Sequence, residues 1–136
     1  WSLFARQSSV SSNLYFWKEL SEQTEFVTIT VDEKLHDSEV THLMYFPSTT
    51  SLVSCSRDAT GSLIIRRLDQ CSPPYIFNVP RGVRCFHLDR EVQVLVTGSA
   101  DAVVRLWNPV VTKCPMTSLF GHKYAIEDVR ILRTRD

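Results

Sequence analysis

Residues 95–108, with the sequence LVTGSADAVVRLWN, place two short apolar segments on either side of a small polar turn. Residues 92–97 and 103–107 are rich in β-branched side chains, and each segment has the length of a strand. The intervening residues 100–102, Ala-Asp-Ala, are typical of a tight turn. This stretch therefore predicts two antiparallel strands joined by a short connection.

The residues on either side of this pair extend the pattern. Residues 83–88 form another segment of strand length, and the polar residues 89–91 separate it from the strand at 92–97. Pro109 and Pro115 bracket a connection that leads to a short fourth strand at 116–119. The sequence thus predicts four short antiparallel strands within about 43 residues, the size of one blade of a β-propeller.

An internal repeat supports this prediction, because the chain matches itself at an offset of 43 residues. The apolar positions that coincide in three copies are Val40, Val83 and Ile126; Leu43, Phe86 and Val129; and Tyr45, Leu88 and Ile131. A fixed period in the low forties is typical of a propeller or a solenoid. Long amphipathic segments, which a helical repeat would need, are missing from the sequence. We therefore predict an all-β chain.

Composition narrows the class of protein. The 136 residues include 15 basic and 15 acidic side chains, and this neutral balance disfavours a nucleic-acid binder, which normally carries a basic excess. Apolar residues make up 43% of the chain, which is too many for a disordered protein of zero net charge. Unbroken apolar runs are only a few residues long, so the sequence predicts no transmembrane helix and no membrane partner.

The residues quoted above, together with Leu-Phe-Gly-His at 119–122, resemble a WD repeat of the β-transducin type. That pattern has a Gly-His pair, a strand of small residues ending in Ser-x-Asp, and an apolar strand ending in Trp-Asp. Asn108 replaces the final Asp here. The preceding copy carries Arg66 where the Trp would be, and residues 14–18 resemble the closing strand of a still earlier copy.

This resemblance implies a partial propeller built of four-stranded blades. We expect residues 1–35 to be the end of a preceding blade, 36–78 and 79–121 to be two complete blades, and 122–136 to begin a following blade. Four blades are the minimum for a closed ring. We therefore expect the chain to be a fragment of a larger propeller, with the remaining blades supplied by the same longer polypeptide.

The resemblance also assigns a structural motif in which His, Ser, Asp and Trp side chains hydrogen-bond to one another. The first copy has His36, Ser56 and Asp58 but no Trp, whereas the second has Ser99, Asp101 and Trp107, with Val79 in the His position. Gly121 and His122 open the next copy. A His, a Ser and an Asp could also form a hydrolase triad. We favour the structural role, because the spacing repeats with each blade and a triad would occur once.

No cofactor or metal site is expected. Cys85 and His87 lie two residues apart, as half of a zinc site could, but no second Cys or His pair has ligand spacing. The four cysteines, which include Cys55, Cys71 and Cys114, form no C-x-x-C pair and are typical of reduced thiols in a cytosolic protein. Enzyme activity would require Cys85 or Cys114 to act as a nucleophile with a lowered thiol pKa. We expect no catalytic residues.

We expect such a propeller to act as a non-enzymatic scaffold that binds other proteins through its rims. Three stretches are similar to large tandem-propeller WD-repeat proteins of motile cilia and sperm flagella, some of which carry EF-hands. They are residues 77–82 (Phe-Asn-Val-Pro-Arg-Gly), the strand pair through 107–109 (Trp-Asn-Pro), and residues 119–122. This similarity implies an axonemal component bound to tubulin in doublet microtubules, or to microtubule-associated proteins. A regulatory adaptor, such as a ubiquitin-ligase substrate receptor or a coat subunit, is the alternative.

Overall fold

The computed structural model describes residues 35–69 and 72–134, together with the backbone strands at 2–7, 14–19 and 27–32. Cys71 lies outside the described residues. The three backbone strands, β1 (Ser2–Gln7), β2 (Leu14–Glu19) and β3 (Val27–Asp32), form an antiparallel sheet in the order β1-β2-β3. The segment that resembles a closing strand is β2, the middle strand of this sheet.

Two four-stranded antiparallel sheets follow, and they confirm the predicted all-β fold with four strands per copy. Each sheet is a meander in which consecutive strands pair, because its strands are joined by short connections. The first consists of β4 (Val40–Phe46), β5 (Ser51–Ser56), β6 (Leu63–Arg67) and β7 (Tyr75–Phe77). The second consists of β8 (Cys85–Asp89), β9 (Val94–Gly98), β10 (Val104–Trp107) and β11 (Thr117–Leu119).

The strand register carries the 43-residue repeat into three dimensions. Leu95 on β9 is paired with Trp107, and Leu52, 43 residues before Leu95, is paired with Arg66. Arg66 therefore occupies the position of Trp107 in the first sheet. The turns repeat as well, since Thr50 and Gln93 both have positive φ angles, of 46° and 55°.

The main hydrophobic core lies between the two four-stranded sheets. Phe77 is fully buried and packs edge-to-face on Trp107, with the ring centroids 5.4 Å apart. Edge-to-face aromatic contacts add about 0.5–1.5 kcal/mol to the effect of burying the rings. The first sheet contributes Val53, Cys55, Leu63, Ile65 and Phe77 to this core, and residues 79–107 contribute Val79, Val83, Leu88, Leu95 and Trp107.

A second junction repeats the geometry of the first one. The Val83 N–H donates to the Ser56 carbonyl at 2.9 Å, and the Ile126 N–H donates to the Ser99 carbonyl at 3.1 Å. Both the donors and the acceptors are 43 residues apart. Ile126 and Val129 pack on the second sheet against Cys85 and Val96. Residues 122–134 therefore pack along the second sheet as the segment that includes β8 packs along the first sheet.

Within the described parts of the chain, no helix has the length and apolar character needed to span a membrane.

Candidate functional site

His36 is the centre of a buried hydrogen-bonded group in the first copy. Because the Gly61 carbonyl can only accept, His36 Nδ1 carries the proton and donates to it at 2.6 Å. In this tautomer Nε2 is an acceptor, and Ser54 Oγ donates to it at 2.7 Å. Burial lowers the pKa of His36 below 6.5, against the opposing effect of the Gly61 hydrogen bond. The imidazole is therefore neutral at pH 7.

The hydroxyl that contacts His36 is not the one assigned from the sequence. That assignment used Ser56, but Ser56 Oγ instead accepts from the Asp58 N–H at 3.4 Å, and so closes the Ser-x-Asp turn. Side chains alternate along β5, so residues 54 and 56 share a face, and the structure brings the His36 ring to residue 54. Asp58 is half-buried and acts on His36 through its charge rather than through a described hydrogen bond.

In the second copy, Trp107 forms the hydrogen bond to the corresponding hydroxyl, that of Thr97. Its Nε1–H donates to Thr97 Oγ1 at 3.0 Å, and both side chains are buried. Thr97 lies 43 residues after Ser54, so the same position on the second strand bonds His in one copy and Trp in the other. Val79, in the His position of the second copy, is fully buried in the apolar core. The offset of 43 residues was the sequence signal that could have identified Ser54 and Thr97.

Asp101 lies in the turn between β9 and β10, where it accepts from the Val103 N–H at 3.1 Å. Both carboxylate oxygens also accept from Arg105, at 3.1 and 2.6 Å. Burial alone would raise the pKa of Asp101, but the hydrogen bonds and charge of Arg105 more than offset it and lower the pKa. Ser99 is fully buried, and its hydroxyl donates to the Pro80 carbonyl at 2.9 Å.

Gly121 and His122 lie beyond β11, and both are exposed. Gly121 has a φ of 130°, and a side chain there would meet no atom of the described residues within 4 Å. Phe120, just before them, is 78% exposed, whereas Phe77, its counterpart 43 residues earlier, is fully buried. The apolar face that covers Phe77 therefore has no counterpart over Phe120 among residues 35–69 and 72–134.

The connection between the two four-stranded sheets is a tight turn at residues 79–82. The Gly82 N–H donates to the Val79 carbonyl at 2.9 Å, with Pro80 at the second position of the turn. Arg81 has a φ of 62°, a left-handed conformation that is costly for a residue with a side chain. A Cβ atom at Gly82 would lie 2.1 Å from the Arg57 carbonyl oxygen, so only glycine fits. This packing fixes the backbone of the turn that carries the exposed Arg81.

A polar cleft of about 450 Å³ lies near this turn, along the first strands of successive copies. Arg84 forms an ion pair with Glu127 at 2.9 Å, and these two positions are 43 residues apart. The remaining lining residues are Glu39, Val40, Thr41, His42 and Arg57. With charges of both signs and exposed rims, this cleft and the 79–82 turn are suited to polar contacts with another protein. We call them together the inner-strand surface.

The residues considered as possible catalytic groups are Cys85, Cys114 and the pair of His36 and Ser54. Burial, with a smaller effect of the Asp128 charge, raises the pKa of Cys85 to about 11, which is the opposite of what a thiol nucleophile needs. Cys114 is exposed. His36 and Ser54 are each 2% exposed, so a substrate has no access to them. No group of three or more potential metal ligands occurs among the residues that the structure describes.

Comparison with known families gives a match over 72–108, the segment that includes β7 to β10. It is to the WD40 family, described as "WD domain, G-beta repeat". Residues 72–108 are therefore similar to a WD40 repeat. Similar solved structures agree with this: the WD40 beta propeller domain of Doa1 has a TM-score of 0.58 at 20% identity, over 68% of this chain and 31% of that one. The RRP9 WD40 repeats have a TM-score of 0.54 at 16% identity, over 66% and 28%.

A computationally designed protein, Ika4, is also similar in structure to this chain. Its TM-score is 0.69 at 16% identity, and the match covers 96% of this chain and 74% of Ika4. At such identities these structures establish the fold alone. Two consecutive four-stranded antiparallel blades of a β-propeller are therefore the architecture of residues 40–119.

Two curated relatives are larger proteins. They are the "WD repeat-containing protein on Y chromosome" of Drosophila grimshawi and of Drosophila mojavensis, each 36% identical over 50 residues. The match covers 37% of this chain and 4% of each relative, so the chain spans a small part of the proteins it matches. WD40 propellers in general are non-catalytic scaffolds that bind other proteins.

Proposed function

We propose that this WD40 chain is part of a non-enzymatic scaffold that docks other proteins on its inner-strand surface. The observation that supports the proposal is the 79–82 turn, in which Gly82 packs against the Arg57 backbone and fixes Arg81 in a left-handed conformation. Strain of this kind persists only where the surrounding structure imposes it, and it is concentrated at functional positions. An exposed arginine on a fixed backbone, beside a charged cleft, is well suited to docking.

The scaffold is, in this proposal, a structural component of the axoneme of a cilium or sperm flagellum, bound to doublet microtubules or their associated proteins. Support comes from the similarity of residues 77–82 to tandem-propeller proteins of those organelles. The side chains of this segment alternate between roles, since Phe77, Val79 and Gly82 are buried while Asn78, Pro80 and Arg81 are exposed. Asn78 accepts from the Gly61 N–H at 2.8 Å and the Pro80 carbonyl accepts from Ser99 at 2.9 Å, so both have structural contacts. The Arg81 side chain has no such contact among the described residues, which favours a role in binding.

The test is fractionation of ciliated or flagellated cells that express the tagged protein. We expect the protein to remain with doublet microtubules after the membrane and matrix have been extracted, and to be released by salt that weakens charged contacts. Recovery with cullin adaptors or coat subunits instead would favour the adaptor alternative. Recovery in neither fraction, with all protein in the soluble extract, would refute the axonemal proposal.

Arg81→Gly is the informative variant, because glycine adopts a φ of 62° without strain and keeps the turn intact. We expect it to fold normally and to dissociate from doublets at lower salt. Arg130→Gly is the matched control, since Arg130 is 63% exposed and contacts only Asp128 among the described residues. Equal retention of the two variants would exclude Arg81 as a docking residue.

A further inference from the structure

Arg90 and Arg133 occupy equivalent positions at the two junctions between sheets, near the ends of β4 and β8. The side chains that surround these two arginines differ. Arg133 reaches back to the turn after β8, where its Nε and one Nη nitrogen donate to the two Asp89 oxygens, each at 2.6 Å. Its other Nη nitrogen contacts Glu91. The Arg133 cation is thus neutralised by two carboxylates of the preceding blade.

Arg90 occupies the same position 43 residues earlier, but the acids are missing there. The counterparts of Asp89 and Glu91 are Phe46 and Ser48, neither of which carries charge. The Arg90 guanidinium lies over the Phe46 ring instead, with its Cζ 5.6 Å from the ring centroid. Arg90 Nε and Nη2 are buried and have no hydrogen-bond partner among the described residues. An unpaired buried cationic donor is among the more costly features a protein can retain.

A second arginine lies on the same face of the sheet. Phe46 is paired with Ser51 across β4 and β5, and Ser51 is paired with Arg67 across β5 and β6. Residues directly opposite one another in a sheet project to the same side, so Phe46 and Arg67 share a face about 10 Å apart. Arg67 Nε is also buried and has no hydrogen-bond partner in the part of the chain that the structure describes, although its Nη2 contacts Asp69 at 3.3 Å.

The two guanidinium groups act on each other. Burial, followed by the positive charge of Arg67, lowers the pKa of Arg90. The two like charges repel one another, and three of their buried nitrogens have no acceptor among the described residues. The contact of Arg67 with Asp69 therefore leaves the pair with a net positive charge and unused donors. The side chain of Arg67 is 39% exposed, so the pair can be reached from solvent.

We propose that Arg67, Arg90 and the Phe46 ring form a binding site for the carboxylates of an acidic peptide segment of a partner protein. The occupant is taken to be carboxylate because two carboxylates fill the same position at Arg133. In the complex, a rotation of the Arg90 guanidinium turns its N–H groups toward one carboxylate in a bidentate pair, and a second carboxylate reaches Arg67. The inference rests on the proposed scaffold function, and it names the chemistry of one partner.

The experiment measures fluorescence anisotropy of a labelled hexaglutamate peptide on titration with the full chain, with hexaglutamine as the neutral control peptide. We expect saturable binding of hexaglutamate only. Arg90→Met and Arg67→Gln should each weaken it at least tenfold, whereas Arg130→Gln, which removes the same charge from a remote exposed position, should change it less than twofold. Equal effects of all three variants would mean non-specific attraction and would overturn the proposal.

Two further variants separate binding from folding. Ser48→Glu places a carboxylate where the second blade has Glu91, and we expect this internal acid to displace the peptide, whereas Ser48→Gln should leave binding unchanged. Arg90→Met should raise the melting temperature, because it removes unpaired buried donors, while it abolishes binding. A melting temperature that falls together with affinity would identify Arg90 as a structural residue and refute the site.

Two further results distinguish this site from its alternatives. Tighter binding of a phosphoserine peptide than of hexaglutamate would overturn the carboxylate assignment in favour of a phosphopeptide. Peptide binding is measured on purified chain without axonemal proteins, so it is independent of the fractionation test above. Saturable binding with no axonemal retention would refute only the cellular role, and retention without peptide binding would refute only this site.

Discussion

The hydrogen bond between Trp107 and Thr97 offers a quantitative test of the blade structure. Trp107 Nε1 and Thr97 Oγ1 are 3.0 Å apart, and the residues are 2% and 0% exposed. Thr97→Val keeps the side-chain volume but leaves the indole N–H without an acceptor. Trp107→Phe keeps an aromatic ring against Phe77 but leaves the threonine hydroxyl without its donor. Each single variant therefore leaves one buried polar group unpaired, which costs about 1–3 kcal/mol.

The double variant leaves neither group unpaired, so its cost should be smaller than the sum of the two single costs. We expect a coupling energy of about 1–2 kcal/mol between the two positions. The packing lost when tryptophan is shortened to phenylalanine occurs on both sides of the cycle and cancels. The assay is urea unfolding followed by circular dichroism, with the free energy of unfolding extrapolated to zero denaturant for the four proteins.

A control cycle pairs Trp107→Phe with Thr60→Val, an exposed threonine in a turn of the other sheet. That pair should be additive within about 0.5 kcal/mol. If the Trp107 and Thr97 changes were also additive, the hydrogen bond would contribute no coupling. The assignment of Thr97 as the hydroxyl of the second copy would then be wrong.

Four other outcomes follow from single contacts. Asp101→Ala should lower the free energy of unfolding by about 1–3 kcal/mol in urea melts, because the Val103 N–H and Arg105 lose their acceptor; an unchanged melt would contradict the turn geometry. The free energy of unfolding should fall as the pH drops below about 6.5, because the unfolded chain binds a proton that burial keeps from His36, and this decrease should be smaller in His36→Gln. Gly82→Ala should prevent normal folding as judged by near-ultraviolet circular dichroism, whereas Gly61→Ala, whose nearest neighbour would be 3.9 Å away, should cost only about 1 kcal/mol of left-handed strain. Iodoacetamide at pH 7.5 should alkylate Cys114 and spare Cys85, as read by peptide mapping; rapid alkylation of Cys85 in folded protein would contradict its burial and its raised pKa.

The strands were accessible from the sequence because their cause is local. Residues 92–97 were predicted as a strand and β9 is Val94–Gly98, while residues 103–107 were predicted and β10 is Val104–Trp107. The shifts of one or two residues arise at turns, where Gln93 and Ala102 adopt positive φ angles. Glutamine and alanine do not predict a positive φ angle, since glycine and asparagine are the residue types that usually adopt it.

The polar contacts were harder to predict from the sequence, because they depend on which of two hydroxyls on one face of β5 the imidazole reaches in the folded chain. Ser54 and Ser56 are both buried, both lie on β5, and both share its face. Only the position of the folded His36 ring selects Ser54. The arginine pair was missed for a different reason. Arg67 and Arg90 are 23 residues apart and meet only through the pairing of three strands and the packing of the next copy, which no local pattern reports.

The distribution of the motif over the two copies has a physical explanation. A hydroxyl has one hydrogen to donate and lone pairs to accept with, so Ser54 can donate to a histidine and Thr97 can accept from a tryptophan. One bond is enough to satisfy a buried hydroxyl, and each copy can therefore lose one of the two partners. The rest of the position is then filled by apolar packing, as Val79 shows in the second copy.

Because each copy lacks one member of the motif, the contacts at the junction between sheets stabilise the pair of blades more than the polar network does. A network of four groups strengthens cooperatively only when all of its members are present. Here the repeated elements are instead the backbone bonds of Val83 and Ile126 and the apolar contacts around them. Side chains at the rims are then free to differ from junction to junction. Arg133 is neutralised by carboxylates while Arg90 faces Phe46, so two junctions of the same backbone present different charges to a partner.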